Sequence, residues 1–361
     1  MKQILCLLLS ASLMLVISNN AEAQGCVAIR STGGICTMEH SQSEHLSKWG
    51  LNVNNRYFKS FRHFVGTKEQ KQRVAAGSEV INHSYTLDLT LTRNLNKWWS
   101  FSVDAPIVAN TRSSLYEHDR KNRFSTQSFG LGDVRISAYR WVIDPAKSPK
   151  GNIQFGLGIK LPTGDYKYQD IFHKNDSTVL LGPVDQSIQL GDGGLGFSTE
   201  MNAYYNLSKK VSLYSNLYYL LSPREQNGTL TSRGDVPSAA SLKNGSFVMS
   251  VPDQYMIRAG INFTAKDLTA SLGFRHECLP SHDLIGGSKG FRRPGYIISA
   301  EPGITYNLKK INIYAYVPVA LIRDRTQSVA DIFQTKLTGV YTQGDAAFAD
   351  YTINVGFSVR F

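Results

Sequence analysis

The last twelve residues of the chain constrain its fold more than any other stretch does. The segment Asp350 to Phe361 reads DYTINVGFSVRF, with apolar and polar residues in alternation. Successive side chains of an extended chain point to opposite faces, so this alternation creates one apolar face and one polar face. The apolar face comprises Tyr351, Ile353, Val355, Phe357, Val359 and Phe361. Such a strand fits a wall that has lipid on one side and a polar lumen on the other.

The same alternation recurs from Trp49 to the end of the chain, in segments of about ten residues, the length at which a tilted strand crosses a bilayer. We count about twelve segments, joined in turn by short connections, such as 308–310, and by long polar ones, such as 222–253. All long loops then lie at one rim, and an even number of strands leaves both termini at the other. The sequence therefore predicts an all-β fold, a transmembrane antiparallel up-and-down β-barrel over residues 49–361, with short periplasmic turns and long extracellular loops.

The beginning of the chain predicts export. Lys2 is followed by an apolar run from Ile4 to Ile17 and then by Ala21-Glu22-Ala23, the pattern of a cleaved secretory signal peptide over residues 1–23. The apolar run is too short to be a transmembrane helix. The expected location is the outer membrane of a Gram-negative envelope.

The aromatic carboxy-terminus resembles the terminal signal of bacterial outer-membrane barrels. The barrel assembly machinery reads that signal, and the residues that match it here are Phe357, Val359 and Phe361. The expected partners are therefore this machinery and the outer-membrane lipids.

The net charge of +11 does not indicate nucleic-acid binding. The basic residues cluster in predicted loops, within 62–73, 112–123 and 289–293, and no helix or patch carries recognition chemistry. Loops at the outer rim would place these charges beside anionic lipid headgroups.

Two cysteines follow the predicted cleavage site. In an oxidising compartment Cys26 and Cys36 most simply close a small disulfide loop. Residues 24–48 are then a periplasmic tail or a plug, and the plug is favoured because an unconstrained tail has no need of a disulfide. Cys278 is left as a spare thiol. The cysteines and histidines lack the spacing of a zinc site, so we expect no metal, and we expect no cofactor.

The inward faces of the predicted strands carry charges of both signs. About twelve strands close a barrel with a backbone radius of roughly 12 Å, which favours a narrow or plugged passage over a wide pore. The charges either contact a solute along a transport path or pair with one another to fill the lumen. The candidates are Arg56, Asp88, Asp104, Asp133, Arg135, Lys160, Glu200, Arg258, Arg275, Glu277, Glu301 and Arg360.

The sequence offers little to support an enzyme. In Asn82-His83-Ser84, the nearest match to a barrel phospholipase, His83 and Ser84 are adjacent and point to opposite faces of a strand. His118-Asp119 in a loop is a thin match to an outer-membrane protease. The glycine-rich GDGGLG at 191–196 matches a dinucleotide fingerprint but lacks a βαβ unit around it. We therefore expect no catalysis, and two readings stay open: a channel, or a closed structural or adhesive barrel whose loops bind a partner.

Two glycine motifs suggest a family. Gly130 to Val134 reads GLGDV and Leu161 to Asp165 reads LPTGD, and together they resemble the outer-membrane protein family associated with the phenol meta-cleavage pathway. The resemblance implies a transporter-like barrel that passes a small-molecule solute, including hydrophobic or aromatic ones, by passive or facilitated diffusion. It supplies no catalytic residues, and the cysteine-bearing amino-terminus is not part of its pattern. We expect a monomer and a structural role for both motifs at the barrel mouth.

Overall fold

The computed structural model describes residues 47–361. The predicted signal peptide 1–23 and the predicted Cys26 to Cys36 disulfide lie outside the described residues, as does segment 24–48 apart from its last two residues.

Twelve antiparallel strands form the barrel. Ten are continuous and two, the fourth and the eleventh, are interrupted once. They are β1 (Trp49–Val65), β2 (Ile81–Asn94), β3 (Trp99–Ser114), β4 (Phe124–Leu131 and Arg135–Trp141), β5 (Gly151–Lys160), β6 (Gly196–Asn206), β7 (Val211–Leu221), β8 (Gln254–Ala265), β9 (Leu268–Leu279), β10 (Gly295–Asn307), β11 (Ile311–Tyr316 and Val319–Asp324) and β12 (Ala346–Arg360).

The barrel is closed because β12 pairs with β1. Their register runs from Gly50 opposite Arg360 to Phe64 opposite Ala346, with two irregularities between Phe58 and Arg62. Closure pairs the backbone groups that an open sheet would leave at its edges, a condition for spanning a bilayer with strands. The predicted all-β barrel of twelve strands is thus confirmed.

The two faces of the wall differ as the alternation predicted. On β9, for example, Leu272 and Phe274 are exposed on the outside, whereas Ser271 and Arg275 are buried on the inside. Aromatic residues occur on the outer face near both ends. Tyr219, Tyr255 and Tyr296 lie near the long loops, and Trp49, Trp99, Tyr205 and Tyr306 lie near the short turns. An apolar band between two aromatic girdles is typical of transmembrane barrels.

Short and long connections alternate around the barrel. The short connections lie at the end of the barrel where β1 begins and β12 ends, and there the Trp49 N–H donates to the Phe361 carbonyl (2.9 Å). They are 95–98, 142–150, 207–210, 266–267 and 308–310. The long ones are 66–80, 115–123, 161–195, 222–253, 280–294 and 325–345. The predicted difference in length between long loops and short turns is wrong at one place. Loop 115–123 is no longer than turn 142–150, because β3 and β4 rise further above the barrel than was expected.

The long loops are folded. They contain helices α1 (Lys71–Ala75), α2 (Ala239–Asn244) and α3 (Val329–Thr338), and two small hairpins, Gln169–His173 with Val179–Pro183 and Gln226–Leu230 with Val248–Ser250. A short strand, Lys68–Glu69, and two 3-10 turns, Pro145–Lys147 and Gln186–Ile188, complete the described elements. Within residues 47–361, no helix combines the length and the apolar composition that crossing a membrane requires.

Several basic residues predicted to face lipid headgroups are paired within the protein. Arg112 lies on β3 and is buried against Glu117 (2.8 Å), because the strand continues to Ser114. Arg292 is buried against Asp283 (2.6 Å). Arg62 lies on β1 and pairs with Glu69 and Asp350 at 2.7 Å each. The headgroup interpretation is therefore wrong for the buried Arg112 and Arg292. It stays a prediction for Arg62, whose side chain is 31% exposed.

Tyrosine rings on the inner wall lie against glycines of other strands. Tyr214, Tyr314 and Tyr316 form one buried cluster, although β7 and β11 are separated by three strands. Glycines on those strands leave room for the rings: a Cβ at Gly260 would lie 2.6 Å from the Tyr214 ring, and one at Gly303 would overlap the Tyr316 ring. The cluster narrows the lumen without filling it with aliphatic side chains.

We predict that Gly303→Ala destabilises the barrel by about 1–3 kcal/mol, because the added Cβ meets the Tyr316 ring and forces it to move. The midpoint of urea unfolding in detergent measures the effect. Gly50→Ala is the matched control, since its nearest atom would be 3.8 Å away. On a Tyr316→Ala background the cost of Gly303→Ala should largely vanish; an unchanged cost there would contradict this packing.

Candidate functional site

The twelve predicted lumen candidates lie on the barrel strands or, for Asp133, in the interruption of β4. Ten of them are at most 8% exposed, and Asp133 and Arg360 are partly exposed. The structure brings seven of the ten into two clusters of ion pairs and places Lys160 in a third arrangement with Asp133. Arg56 donates to Thr86 (3.5 Å) and Asp88 accepts from Asn54 (3.4 Å) on β1 and β2.

The first cluster surrounds Arg135 on β4. Its guanidinium group contacts Asp104 of β3 (3.0 Å) and Glu200 of β6 (2.9 Å), and it lies over the ring of Tyr218. The Tyr139 hydroxyl donates to Glu200 (3.1 Å). One cation thus holds carboxylates from two other strands, which compensates for the burial of all three charges.

The second cluster surrounds Glu301 on β10. Its carboxylate pairs with Arg258 of β8 and with Arg275 of β9 (3.3 Å), and Arg275 also contacts Glu277 (2.8 Å). Like the first cluster, it joins neighbouring strands through one shared charge. The transport role of the charges in both clusters stays a prediction.

Three glycine motifs meet at the carboxylate of Asp133, which belongs to the GLGD motif. Asp133 accepts the N–H of Gly164 (3.0 Å) from the PTGD motif and the N–H of Asp192 (3.1 Å) from the GDGGLG motif. The Lys160 ammonium contacts Asp133 (3.3 Å) and also pairs with Asp192. We call these four residues the Asp133 node. It ties loop 161–195 to the wall of the barrel.

Backbone geometry explains why glycines stand at this node. A Cβ at Gly164 would lie 2.7 Å from the Leu190 carbonyl oxygen, and one at Gly191 would overlap the Asp133 carboxylate. Thr163 completes the junction across the interruption of β4, because its hydroxyl donates to the Gly132 carbonyl (2.7 Å) and accepts the Val134 N–H (2.8 Å). The expected structural role of the two family-like motifs rests on these contacts.

A cavity of about 100 Å³ lies beside the Asp133 node. Its lining includes Asp133, Arg135, Lys160, Gln189 and Tyr218. It therefore joins the node to the first ion-pair cluster. The cavity lies between loops 161–195 and 222–253 and the inner wall, and apolar side chains such as Leu220 line it beside the charged ones.

A further network at the long-loop end was missed by sequence reasoning. Glu117 accepts from Arg112 and from Arg233 at 2.8 Å each, and Asp185 accepts both arms of Arg293 (2.8 and 2.7 Å). Burial alone would raise the pKa of Glu117, but Arg112 and Arg233 outweigh it and hold this pKa below its ordinary value of 4.5. Burial likewise opposes ionisation of Asp185, yet Arg112 and Arg293 hold its pKa well below 3.8. Both carboxylates are therefore charged at neutral pH.

The residues considered for catalysis are not assembled. His83 is exposed on the outer face and contacts the Tyr57 hydroxyl (2.8 Å), whereas Ser84 is buried inside and donates to Asn110 (2.8 Å). His118 accepts the backbone N–H of His173, and Asp119 binds its own loop. Among residues 47–361 no group of three or more His, Cys, Asp or Glu side chains is placed to hold a metal ion. Cys278 is buried and forms no disulfide within residues 47–361.

The closed wall, apolar outside and lined with polar groups and ion pairs inside, defines the class of transmembrane β-barrels. Among solved structures, an outer-membrane channel from Pseudomonas putida F1 is similar, with a TM-score of 0.57 and 10% identity over 90% of this chain and 100% of that chain. At this identity the likeness shows the fold alone. The P. putida toluene transporter TodX covers 95% of this chain with a TM-score of 0.42 and 8% identity, which is too remote to support an argument.

No protein-family model and no curated protein matches the chain. The resemblance to the family associated with phenol meta-cleavage, and the solute class that it implies, therefore stay predictions.

We predict that Asp133→Ala loosens loop 161–195, because two backbone N–H groups and the Lys160 ammonium lose an acceptor. Trypsin should then cleave after Lys167 and Lys174 several-fold faster than in the parent protein. Asp165→Ala is the control. Within residues 47–361 the Asp165 carboxylate accepts one hydrogen bond, from the nearby Lys167 N–H. Equal cleavage rates in both variants would contradict the role of the node.

Proposed function

We propose that the chain is an outer-membrane channel through which small polar solutes diffuse. The observation that carries the proposal is the inner wall of the closed barrel, which is mostly polar apart from the tyrosine cluster and a small apolar group that includes Leu220 and Met256. Its buried residues include Asn54, Ser102, Ser137, Ser198, Asn216, Asn262 and Thr305, beside the two ion-pair clusters. The shared fold with an outer-membrane channel supports the location and the class.

The chemistry of the wall favours hydrophilic over hydrophobic solutes. A hydrophobic solute would displace water from hydroxyl, amide and charged groups without replacing their hydrogen bonds, and each such group costs a few kcal/mol when left unsatisfied. A polar solute can exchange hydrogen bonds with the wall as it moves. The hydrophobic or aromatic solutes implied by the family resemblance are therefore the less favoured part of this proposal.

The amino-terminal segment is proposed to regulate the passage from the periplasmic side. Its last residues adjoin the short-turn end, where the Lys48 carbonyl accepts the Asn94 N–H (2.9 Å). Because the segment leads directly into this end of the barrel, we propose that it enters the lumen. Residues 24–48, closed by a Cys26 to Cys36 disulfide, would then act as a plug.

Insertion is proposed to depend on the carboxy-terminal strand. Phe357 and Val359 lie opposite Val53 and Leu51 on β1, so the residues of the assembly signal also form the closing pair of strands. We infer that the barrel assembly machinery recognises Phe357, Val359 and Phe361 before closure. The mature barrel then contacts outer-membrane lipids as a monomer.

One observation favours the alternative of a closed structural or adhesive barrel. The lumen charges are paired and mostly buried, and loop 161–195 is fastened over the inner wall by the Asp133 node. A lumen filled in this way passes nothing unless the loop moves. Function would then reside in the long loops.

We predict steady single-channel currents from the mature chain in planar bilayers, and larger currents from a chain that begins at Ser47, since removal of the plug widens the path. Folding of both proteins is checked by their unheated mobility on a detergent gel. Folded barrels that stay silent in both forms, and that admit no sugar in a liposome-swelling assay, would reject the channel and favour the closed barrel.

A further inference from the structure

A cavity of about 320 Å³ lies at the long-loop end of the barrel. Its walls come from strand β3, from the ends of β1 and β12, and from loops 66–80, 115–123, 222–253, 280–294 and 325–345. We call this cavity the vestibule. Its volume falls at the lower end of the roughly 300–1,000 Å³ that small-molecule pockets occupy. It is therefore large enough for a metabolite.

Positive charge prevails in the vestibule. Four guanidinium groups and two carboxylates line it: Arg73, Arg112, Arg233, Arg293, Glu117 and Asp345. If Asp185, which lies behind them, is added to the carboxylates, four positive charges still face three negative ones. The twelve lumen candidates, in contrast, comprise six basic and six acidic residues. The vestibule, not the lumen, therefore carries the excess of charge that a passing ion meets.

The carboxylates hold the arginines in place without using all their donors. Arg233 contacts Glu117 (2.8 Å) and Arg73 contacts Asp345 (2.6 Å), each through a terminal nitrogen. The Nε atoms of Arg73 and of Arg233 are buried and have no hydrogen-bond partner among the residues that the structure describes. These Nε atoms are too buried for a ligand to reach, but the side chains of Arg73 and Arg233 are 22% and 26% exposed. In each, the terminal nitrogen that does not contact the carboxylate has no hydrogen-bond partner within residues 47–361, so it can donate to a ligand oxygen.

The wall of the vestibule also offers an aromatic surface. The guanidinium group of Arg73 lies 5.0 Å from the ring centre of Tyr116, which is half exposed. A guanidinium group stacked on a ring keeps its in-plane donors directed sideways. Fixed planar donors of this kind match carboxylate and phosphate oxygens.

We propose that the vestibule binds small soluble anions that carry a carboxylate or a phosphate group, with Arg73 and Arg233 as the direct ligands. This names the solute class of the channel and rests on the proposed function. Walls drawn from several loops around one cavity favour a soluble anion over a lipid headgroup, which would approach from the outer face. The charge of the vestibule holds at neutral pH, because Glu117 and Asp185 are already ionised and locked in ion pairs.

Calorimetric titration of the mature protein, folded in detergent, tests the proposal with benzoate and with inorganic phosphate as probes and benzyl alcohol as the neutral probe. Arg73→Gln and Arg233→Gln should each weaken binding of at least one anion by roughly ten- to a hundredfold, the loss expected for a charge-assisted hydrogen bond. Arg120→Gln removes the same charge from an exposed position on loop 115–123 that does not line the cavity, and should leave the affinity unchanged.

Two variants on different loops guard against a local folding defect in either one. Absence of binding to the parent protein, or equal affinities in all three variants, would overturn the proposal. Binding of benzyl alcohol as tight as that of benzoate would do the same, because it would indicate an apolar site. The soluble-anion assignment would also be overturned if lipopolysaccharide displaced the anions and its own binding were weakened equally by both vestibule variants. That result would assign the site to a lipid phosphate.

Calorimetry measures binding without any current through the barrel. The channel proposal and the vestibule proposal can therefore be rejected independently of each other. A silent barrel that binds anions through Arg73 and Arg233 would reject the channel but keep the vestibule site. A conducting barrel without such binding would reject the site alone. In a conducting barrel, the reversal potential across a salt gradient should indicate preference for anions, and this preference should fall in the two vestibule variants and persist in Arg120→Gln.

Discussion

The rest of the structure depends on the pairing of β12 with β1. In a bilayer each backbone N–H and C=O must find its partner within the protein, because lipid offers none. A sheet of eleven strands would leave two long edges, and the twelfth strand removes both by pairing along nearly its whole length with the first. The most regular stretch of the sequence is thus the one that converts a sheet into a closed wall.

Closure fixes the circumference, and the inner side chains must then fill a space of given width. The chain does this in two ways. Where rings lie inside, glycines on adjacent strands accept them, as Gly303 accepts Tyr316 and Gly260 accepts Tyr214. Where charges lie inside, one charge is shared between opposite charges of other strands. Arg135 is shared between Asp104 and Glu200, and Glu301 between Arg258 and Arg275. Losing one member of such a group leaves a buried charge uncompensated, at a cost of about 3–5 kcal/mol, so these clusters stabilise the wall whatever else they do.

Local periodicity explains what could be predicted. The strands and the charges that face inward follow from a two-residue repeat, which is visible in the sequence without any knowledge of contacts. The strand Phe124–Leu131 was missed because its first half rises above the apolar band. There Ser125 and Gln127 face outward where lipid-facing strands carry apolar residues, so the alternation of hydrophobicity disappears. The pairing of Glu117 with Arg233 was missed for another reason: two long loops must first fold before residues 116 positions apart can meet.

The three glycine motifs also combine a local pattern, which the sequence shows, with a contact between distant segments, which it does not. Each motif was visible in the sequence, and two of them predicted a structural role at the barrel mouth. The sequence did not show that all three meet at a single carboxylate. Asp133 holds loop 161–195 by two backbone N–H groups while Lys160, the last residue of β5, contacts the same carboxylate. Arg135, two residues further along the chain, centres the first ion-pair cluster. Asp192 of the loop also pairs with Lys160, so a movement of the loop would change the partners of Lys160. In the channel that we propose, displacement of this loop would therefore open the mouth and remove a partner of Lys160 in the same movement.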